Sequence, residues 1–406
     1  MGRWRTCPAA AVIIASSVMT TAMAGYTQSA RADGHCPAAA AERQDIPGHL
    51  QALVAEVTTV EGPNGITVDF VAHPLPPYPG NPWSHWGEGL LASDGRYYTA
   101  IGDHLGPDGN SFLYDYDPAS GTLRAIGDVL HAYGVHDKGA WGYGKVHGRI
   151  SEDPCGLLYF STYWGTRRGG LTYAGSYQGD LLMRYDPASQ QLISLGAPMP
   201  KMGTPSTQMW SEGGLFYGEA NHPATRRDNI WPKGKLFWVY DLAEQKVVFQ
   251  SERLIDHGSG REIALDRDGR AYYSGAGRDL LRYDPKTNAE ARIATFPHDG
   301  KLRASTRPAP DGKIFMTTNK ERRAYLFDPE TASLKDLGGL PGDAASLALS
   351  PSGEEAYFTP GAHGQGREIG FPLMAIDREG AMRTIVELGP LIEAAGGPYP
   401  AGTYSY

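Results

Sequence analysis

The chain has 406 residues, of which 41% are hydrophobic, with 52 glycines, 30 prolines and a formal net charge of −8. This composition is typical of a turn-rich β protein that buries a substantial core. The negative charge disfavours nucleic acid as a partner, because phosphate binding requires a basic surface. It leaves room for an anionic ligand that is held by a local cluster of cations.

The first residues are typical of a secretory signal peptide. Arg3 and Arg5 precede an apolar run, and the small residues at 22–24 offer a cleavage site before Gly25. A second site at 30–32 would extend the signal peptide from 1–24 to residue 32. The protein is therefore predicted to be secreted or periplasmic. No later stretch approaches about 18 consecutive apolar residues, so no membrane span is predicted.

Residues 25–56 are predicted to form an N-terminal arm, and 37–56 within it is typical of a short helix or an arm. Cys7 lies in the predicted leader, which leaves Cys36 and Cys155 in the mature chain. In an oxidising compartment these two cysteines could form one bridge between the arm and the second repeat. The alternative is two unpaired thiols.

The stretch 83–118 contains one structural unit. Short apolar segments alternate with turn signals, including the hairpin signal Asp94-Gly95, and they predict four short strands. Four such strands leave an apolar face and unpaired edges, so copies of the unit must pack against one another.

Copies of the third strand and its turn recur along the chain, in most cases as an aromatic residue followed by Asp-Pro. The aspartates are Asp117, Asp186, Asp241, Asp284, Asp328 and Asp377. An aspartate in this position opens the turn by accepting local backbone hydrogen bonds. A four-stranded unit repeated at roughly 40–50 residues, with loop insertions, is typical of a β-propeller.

The predicted fold is all-β, with a single propeller domain over 57–406. Six clear four-stranded blades are placed at 83–133, 144–198, 204–252, 258–297, 302–340 and 343–389. A seventh blade is predicted to be closed by the two termini, with strands from 57–73 and an inner strand from the C-terminal remainder. Such closure would remove the exposed edge of the sheet.

In a propeller, the end of each second strand and the segment before each first strand lie on one face. The predicted second strands end at a histidine or a cation in five of six blades. These residues are His104, His222, Arg278, Lys320 and His363. The segments before or on the first strands add His85, Lys145, His147, His257, Arg261 and Arg303. A cationic rim on an acidic protein favours an anionic ligand.

Aromatic residues occupy the same predicted loops, and the stretch 163–180, which begins with Tyr163 and Trp164, is a long insertion between strands. Flat rings beside cations suit a sugar acid, because the rings stack on apolar C–H faces and Arg pairs with the carboxylate. The predicted substrate-binding residues are Lys145, Tyr163, Trp164, Arg168, His222, Arg261 and Lys320. Alternatively, the aromatic residues pack the blades and the charges are solvated.

The segment from Trp83, with His85 and His104 nineteen residues apart, resembles the propeller polysaccharide lyases, which include ulvan lyases and rhamnose–glucuronate lyases. The stretches GYGKVHGRI (142–150) and YFSTYWGTRRG (159–169) lie where those enzymes have a further tyrosine and arginine. The resemblance implies that the histidine pair serves as base and charge neutraliser. Tyr143 or His147 stands near the expected tyrosine, and Tyr163, Arg167 or Arg168 near the expected arginine.

The chemistry expected of such a site is β-elimination beside a uronate carboxylate. The C5 proton becomes acidic once the carboxylate charge is neutralised, and a cation stabilises the enolate that develops. The hypothesis takes His104 as the base, with His85 and Arg167 or Arg168 on the carboxylate. Tyr143 or His147 would return a proton to the leaving oxygen. The predicted partner is an acidic polysaccharide or oligosaccharide.

Three other classes of function remain open. Glycoside hydrolysis would use paired carboxylates, for which Glu88, Asp103, Glu219 and Glu262 are candidates. A metal-dependent hydrolase would hold a divalent ion in the channel, with His222, His257 and His363 as candidate ligands. A propeller could also be a glycan- or protein-binding scaffold without activity. No motif requires another cofactor.

Overall fold

The computed structural model describes residues 46–76, 80, 82, 85, 87–103, 109–134, 142–163, 177–221, 235–252, 261–362 and 368–396, with the backbone of strand Ala11–Ala15. The chain divides into two compact units. The first comprises residues 1–203 and 392–400, and the second 204–391 and 401–406.

The first unit contains three antiparallel sheets. The N-terminal strands are β1 (Ala11–Ala15), β2 (Val54–Glu56), β3 (Thr58–Glu61) and β4 (Thr67–Ala72), with a 3-10 turn at Pro63–Gly65. Blade 1 consists of β5 (Leu90–Leu91), β6 (Tyr97–Gly102), β7 (Ser111–Asp117) and β8 (Thr122–Asp128), followed by helix α1 (Val129–Tyr133). Blade 2 consists of β9 (Ser151–Glu152), β10 (Leu158–Ser161), β11 (Leu182–Asp186) and β12 (Gln191–Ser194).

The second unit contains four sheets of the same form. Blade 3 consists of β13 (Gly203–Trp210), β14 (Leu215–Asn221), β15 (Lys235–Asp241) and β16 (Lys246–Gln250). Blade 4 consists of β17 (Ile263–Leu265), β18 (Ala271–Ser274), β19 (Asp279–Asp284) and β20 (Ala289–Thr295). Blade 5 consists of β21 (Leu302–Ser305), β22 (Ile314–Thr318), β23 (Arg323–Asp328) and β24 (Ser333–Gly339). Blade 6 consists of β25 (Ala348–Leu349), β26 (Glu355–Phe358), β27 (Pro372–Asp377) and β28 (Met382–Glu387), with helix α2 (Leu388–Ala394) after it.

In each blade, the four strands pair in the order in which the chain makes them. This antiparallel meander, repeated six times, is the blade of a β-propeller. The six predicted blades are therefore confirmed. The seventh is not: β3 and β4 pair with each other, and β4 also pairs with β1. The C-terminal residues 397–406 lie outside the described part of the chain, so seven blades remain a prediction.

One turn joins the third and fourth strands of every blade. The Oδ1 atom of each repeated aspartate accepts a hydrogen bond at 2.9–3.0 Å from the backbone N–H two residues later. A left-handed residue then closes each turn, and only two of the six are glycines. The closing residues are Gly121, Gln190, Gln245, Asn288, Ala332 and Gly380. The predicted role of the aspartates is confirmed.

The predicted hairpin between the first two strands of blade 1 is also present. Gly95 has a φ of +82°, which a residue with a Cβ rarely adopts, and Asp94 accepts a hydrogen bond from the N–H of Arg96. The side chain of Asp94 also accepts a 2.6 Å hydrogen bond from the Tyr98 hydroxyl.

Blades of the second unit pack face to face through aromatic and aliphatic residues. Phe237 of blade 3 stacks on Tyr273 of blade 4, with ring centroids 4.1 Å apart. Further apolar clusters join blade 4 to blade 5 and blade 5 to blade 6. Ion pairs reinforce these contacts, such as the one between Arg378 of blade 6 and Asp311 of blade 5.

The predicted N-terminal arm covers an edge of blade 1. Residues 46–53 form turns rather than a helix, and β2 pairs with β8 as a fifth strand of this blade. The imidazole Nε2 of His49 lies 2.9 Å from Asp128. Strand β2 of the arm thus forms hydrogen bonds with backbone groups of β8 that would otherwise lie at an open edge of the sheet.

Most of the predicted signal peptide lies outside the described residues, apart from the backbone of β1. Cys155 is disulfide-bonded. Because Cys36 also lies outside the described part, its pairing with Cys155 remains a prediction. Among the described residues, no helix is long and apolar enough to cross a membrane.

Candidate functional site

The predicted site residues divide into three groups. His104, Trp164, Arg167, Arg168, His222, His257 and His363 lie outside the described residues, and their roles remain predictions. His85, Tyr143, Lys145, His147 and Tyr163 belong to the first unit. Arg261 and Lys320 belong to the second unit. Within the described part of the chain, no group of three or more His, Cys, Asp or Glu residues could hold a metal ion.

The segment that carries His85 lies against the one that carries His147. A Cβ added to Gly87 would stand 2.5 Å from the carbonyl oxygen of Gly148, so only glycine permits this approach. The N–H of Ile150 donates to the carbonyl of Glu88. These contacts fix residues 85–88 beside residues 146–150.

The segment 143–145 lies across the end of β6. A Cβ on Gly102 would collide with the carbonyl of Gly144, and one on Gly144 with the carbonyl of Asp103. The hydroxyl of Ser111 donates to the carbonyl of Tyr143 at 2.6 Å. Two glycines and one serine therefore bring the predicted site segment onto the second strand of blade 1.

The end of β10 holds the other side of this segment. Val146 and Thr162 form an isolated β-bridge, and the N–H of Tyr163 donates to the carbonyl of Lys145 at 2.7 Å. Thr162 also exchanges hydrogen bonds with the backbone of Leu181. The segment that connects blade 1 to blade 2 is thus held at Lys145 and Val146 by hydrogen bonds to the residues that follow β10.

Three predicted residues come together here. The Nζ atom of Lys145 lies over the ring of Tyr163, 5.3 Å from its centroid. The imidazole of His147 packs against the same ring, with centroids 5.3 Å apart and the planes at 72°. The exposed fractions are 2% for Lys145, 7% for His147 and 6% for Tyr163. The three side chains thus form one buried group of a cation, an imidazole and a phenol ring.

His85 is half-buried, and its Nε2 atom lies 3.1 Å from the hydroxyl of Thr99. Desolvation lowers the pKa of His85 from 6.5 to about 4, because burial disfavours the charged imidazolium. The imidazole is therefore neutral at pH 7. The predicted role of His85 at the substrate carboxylate remains a prediction.

Tyr143 is 1% exposed and packs between the rings of Tyr133 and Tyr177. Its hydroxyl donates to the carbonyl of Gly179 at 3.1 Å. Burial raises the pKa of Tyr143 well above its ordinary value. The hydroxyl thus stays protonated and already has an acceptor within the protein.

Other polar residues near these segments were not predicted. Asp180 is 1% exposed and accepts a 2.7 Å hydrogen bond from the hydroxyl of Tyr177. Ser161 is 2% exposed, and within the described part of the chain its hydroxyl has no hydrogen-bond partner. Nothing in the local sequence marks either residue, because both are brought in by strand pairing across a long insertion.

The two predicted residues of the second unit have different surroundings. Lys320 is exposed, and its ammonium lies 3.0 and 3.1 Å from the two carboxylate oxygens of Asp299. Arg261 is half-buried and directly precedes Glu262.

The candidate carboxylates for hydrolysis are Glu88, Asp103, Glu219 and Glu262. Glu88 pairs with Arg149 at 3.0 Å, Glu219 accepts from Ser206, and Glu262 accepts from Ser305. Asp103, the fourth, is 2% exposed. These contacts are typical of carboxylates that stabilise loops and inner strands.

No protein-family model matches the chain, and no curated protein matches it. The structure is similar to that of virginiamycin B lyase from Staphylococcus aureus, with a TM-score of 0.51 and 7% sequence identity over 82% of this chain and 88% of that chain. It also matches the Dos1 propeller, with a TM-score of 0.46 and 9% identity over 75% of this chain and 70% of that one. At these identities the first similarity shows the β-propeller fold alone.

Proposed function

We propose that the chain is an exported enzyme that cleaves a uronic-acid-containing polysaccharide by β-elimination, as a carbon–oxygen lyase. The observation that carries this proposal is the buried group of Lys145, His147 and Tyr163 beside the segment of His85. It supplies a cation, two imidazoles and a phenol in one region of the first unit. Elimination beside a carboxylate needs such charge neutralisation and proton transfer.

Lys145 is the described residue best suited to meet the substrate carboxylate. Its ammonium lies in a region from which water is largely excluded, where its charge is screened less than at the surface. In the proposal it acts together with Arg167 or Arg168. Neutralising the carboxylate makes the C5 proton more acidic, and the same cations stabilise the enolate.

The proton transfers are assigned to histidines. His104 takes the C5 proton, the C4–C5 double bond forms and the C4–O bond breaks. His147 returns a proton to the leaving oxygen, since the hydroxyl of Tyr143 is already bonded to Gly179. His85, neutral because of its lowered pKa, accepts or donates a hydrogen bond and carries no charge.

We propose a seven-bladed ring, in which β3, β4 and the C-terminal residues contribute to the last blade, and export through the N-terminal signal peptide. The resemblance to propeller polysaccharide lyases over about 83–168 supports both the reaction class and the substrate class.

The test is ultraviolet absorbance, since the unsaturated uronate product has a conjugated double bond. The purified protein is incubated with a panel of uronate-containing glycans and with neutral glycans. Absorbance should rise with an acidic glycan only. The His104→Ala variant should show no rise, and Lys145→Met should be slower by about 10²–10³-fold.

The matched control is His131→Ala, which removes an exposed histidine on α1 and should keep the full rate. New reducing ends without a rise in absorbance would overturn elimination in favour of hydrolysis. If neither signal appears but a glycan binds, the protein is a binding scaffold and the proposal is wrong.

A further inference from the structure

We infer that Tyr163 is a positioning residue, whose aromatic ring holds the ammonium of Lys145 and the imidazole of His147 in one arrangement. The role in catalysis rests on the proposed function. The positioning itself can be tested without a substrate.

Tyr163 contacts Lys145 through its backbone and its ring, and it contacts His147 through its ring. Its backbone N–H donates to the carbonyl of Lys145, and its ring lies beneath the Nζ atom of the same lysine. The ring also meets the imidazole of His147 at a steep angle. Since Lys145 and His147 are two positions apart on one segment, a single ring contacts both side chains.

The backbone of Tyr163 is itself held firmly. The preceding residue, Thr162, bridges to Val146, and its hydroxyl accepts a hydrogen bond from the N–H of Leu181. The same threonine donates its own N–H to the carbonyl of Leu181. The ring of Tyr163 is thus placed by pairing with two neighbouring segments, and it can serve as a fixed surface.

Both contacts use the ring rather than the hydroxyl. A cation is attracted to the face of an aromatic ring, and this attraction grows as water is excluded. A phenylalanine would keep this face and the packing against His147, whereas leucine would keep only the apolar volume. The pair Tyr163→Phe and Tyr163→Leu therefore separates positioning by the ring from proton transfer or substrate binding by the hydroxyl.

The first measurement needs no substrate. NMR spectra of histidine side chains follow His147, whose ring protons are shifted by the adjacent aromatic ring. Acylation followed by mass spectrometry follows the amine of Lys145, which is 2% exposed. Tyr163→Phe should leave both signals near those of the wild type. Tyr163→Leu should move the His147 resonances and make Lys145 react several-fold faster.

The matched controls lie in the same blade. Tyr159→Phe removes a hydroxyl that donates to Asp153, and Tyr185→Leu removes a buried ring that contacts Tyr98. Neither ring is part of the Lys145–Tyr163–His147 group. Tyr185→Leu could move the His147 resonances and speed the acylation of Lys145 as strongly as Tyr163→Leu does. In that case the effect would be a general loss of packing in the blade, and the inference would be wrong.

The second measurement uses the glycan that is turned over. Tyr163→Leu should lower kcat by about 10–100-fold with little change in KM, as is usual when a supporting residue is lost. Tyr163→Phe should keep most of the rate. A large loss in Tyr163→Phe would overturn the inference, because the hydroxyl would then act directly. If no glycan is turned over by the wild type, the proposed function fails while the NMR and acylation results still decide the positioning.

Discussion

The hydroxyl of Thr99 lies 3.1 Å from the Nε2 atom of His85, and Thr99 is fully buried. The half-buried imidazole is thus held next to a neutral hydroxyl. Desolvation lowers the pKa of His85 to about 4.

Between pH 6.5 and about 4, the unfolded chain binds a proton at His85 that the folded chain does not. His85 therefore makes the wild type less stable as the pH falls through this window. From pH 7 to pH 4, the free energy of unfolding of the wild type should fall by up to about 3 kcal/mol more than that of His85→Asn. Urea denaturation at the two pH values measures it.

Side-chain NMR provides the direct check, with His85→Asn identifying the resonance. An imidazole that titrates near its ordinary pKa, with a stability difference independent of pH, would show that His85 is solvated and charged in the folded protein.

A second prediction concerns the ion pair between blades 5 and 6. Hydrogen bonds from Arg378 lower the pKa of Asp311 well below its ordinary value, and Lys313 adds to the effect. A depressed folded-state pKa means that the stabilisation is complete above the unfolded pKa of about 4 and is lost as the pH falls below it. Because Asp311 is 37% exposed, solvent screens the pair, and Asp311→Asn should cost about 1 kcal/mol at pH 7.

The measurement is the urea midpoint of the wild type and Asp311→Asn at pH 7 and pH 3. The gap between them should shrink at pH 3. A gap of the same size at both pH values would mean that the loss comes from packing rather than from charge.

The blades could be predicted because their turns depend on local chemistry. Asp328 accepts a hydrogen bond from the N–H of Glu330, two residues away, and the other five aspartates do the same. Such contacts leave a signature in a few consecutive residues. Hence the number, order and approximate limits of the six blades were predictable from sequence alone.

The candidate site was predictable only in part. The sequence predicts His147 as a candidate acid and Lys145 as a substrate-binding residue, but their shared contact with Tyr163 depends on pairing between distant segments. The charge state of His85 depends on burial, which no local pattern encodes. The strand Val54–Glu56 was missed because three residues beside a blade edge carry no periodic signal.

A third prediction follows from the left-handed residues that close the turns. Ala332 has a φ of +55°, a conformation that costs a residue with a Cβ about 1 kcal/mol or more. Ala332→Gly should therefore stabilise the protein by about 0.5–1 kcal/mol, after the greater flexibility of glycine in the unfolded chain is counted.

The reverse substitution at the corresponding turn of blade 6 is the control. Gly380 has a φ of +90°, and a Cβ there would collide with the carbonyl of Leu337. Gly380→Ala should destabilise by roughly 1–3 kcal/mol. Thermal and urea denaturation measure both changes. If both substitutions left the midpoint unchanged, these turns would not be under backbone strain.

The last prediction concerns the partner of Cys155. Cys155 is disulfide-bonded and lies in the tight turn between β9 and β10, where its N–H donates to Asp153. The chain has three cysteines, and export with cleavage after residue 24 would remove Cys7. Cys36 would then be the remaining partner. A non-reducing digest of the exported protein should yield one linked peptide that contains Cys36 and Cys155.

The same bridge should be visible in stability. It closes a long loop, so Cys155→Ser should lower the free energy of unfolding by about 2–4 kcal/mol. Cys36→Ser should cost the same amount, and the double variant should cost no more than either one, because all three lose the same bond. If Cys36→Ser kept wild-type stability while Cys155→Ser did not, Cys155 would have a different partner and the arm would not be tied to blade 2 by this bond.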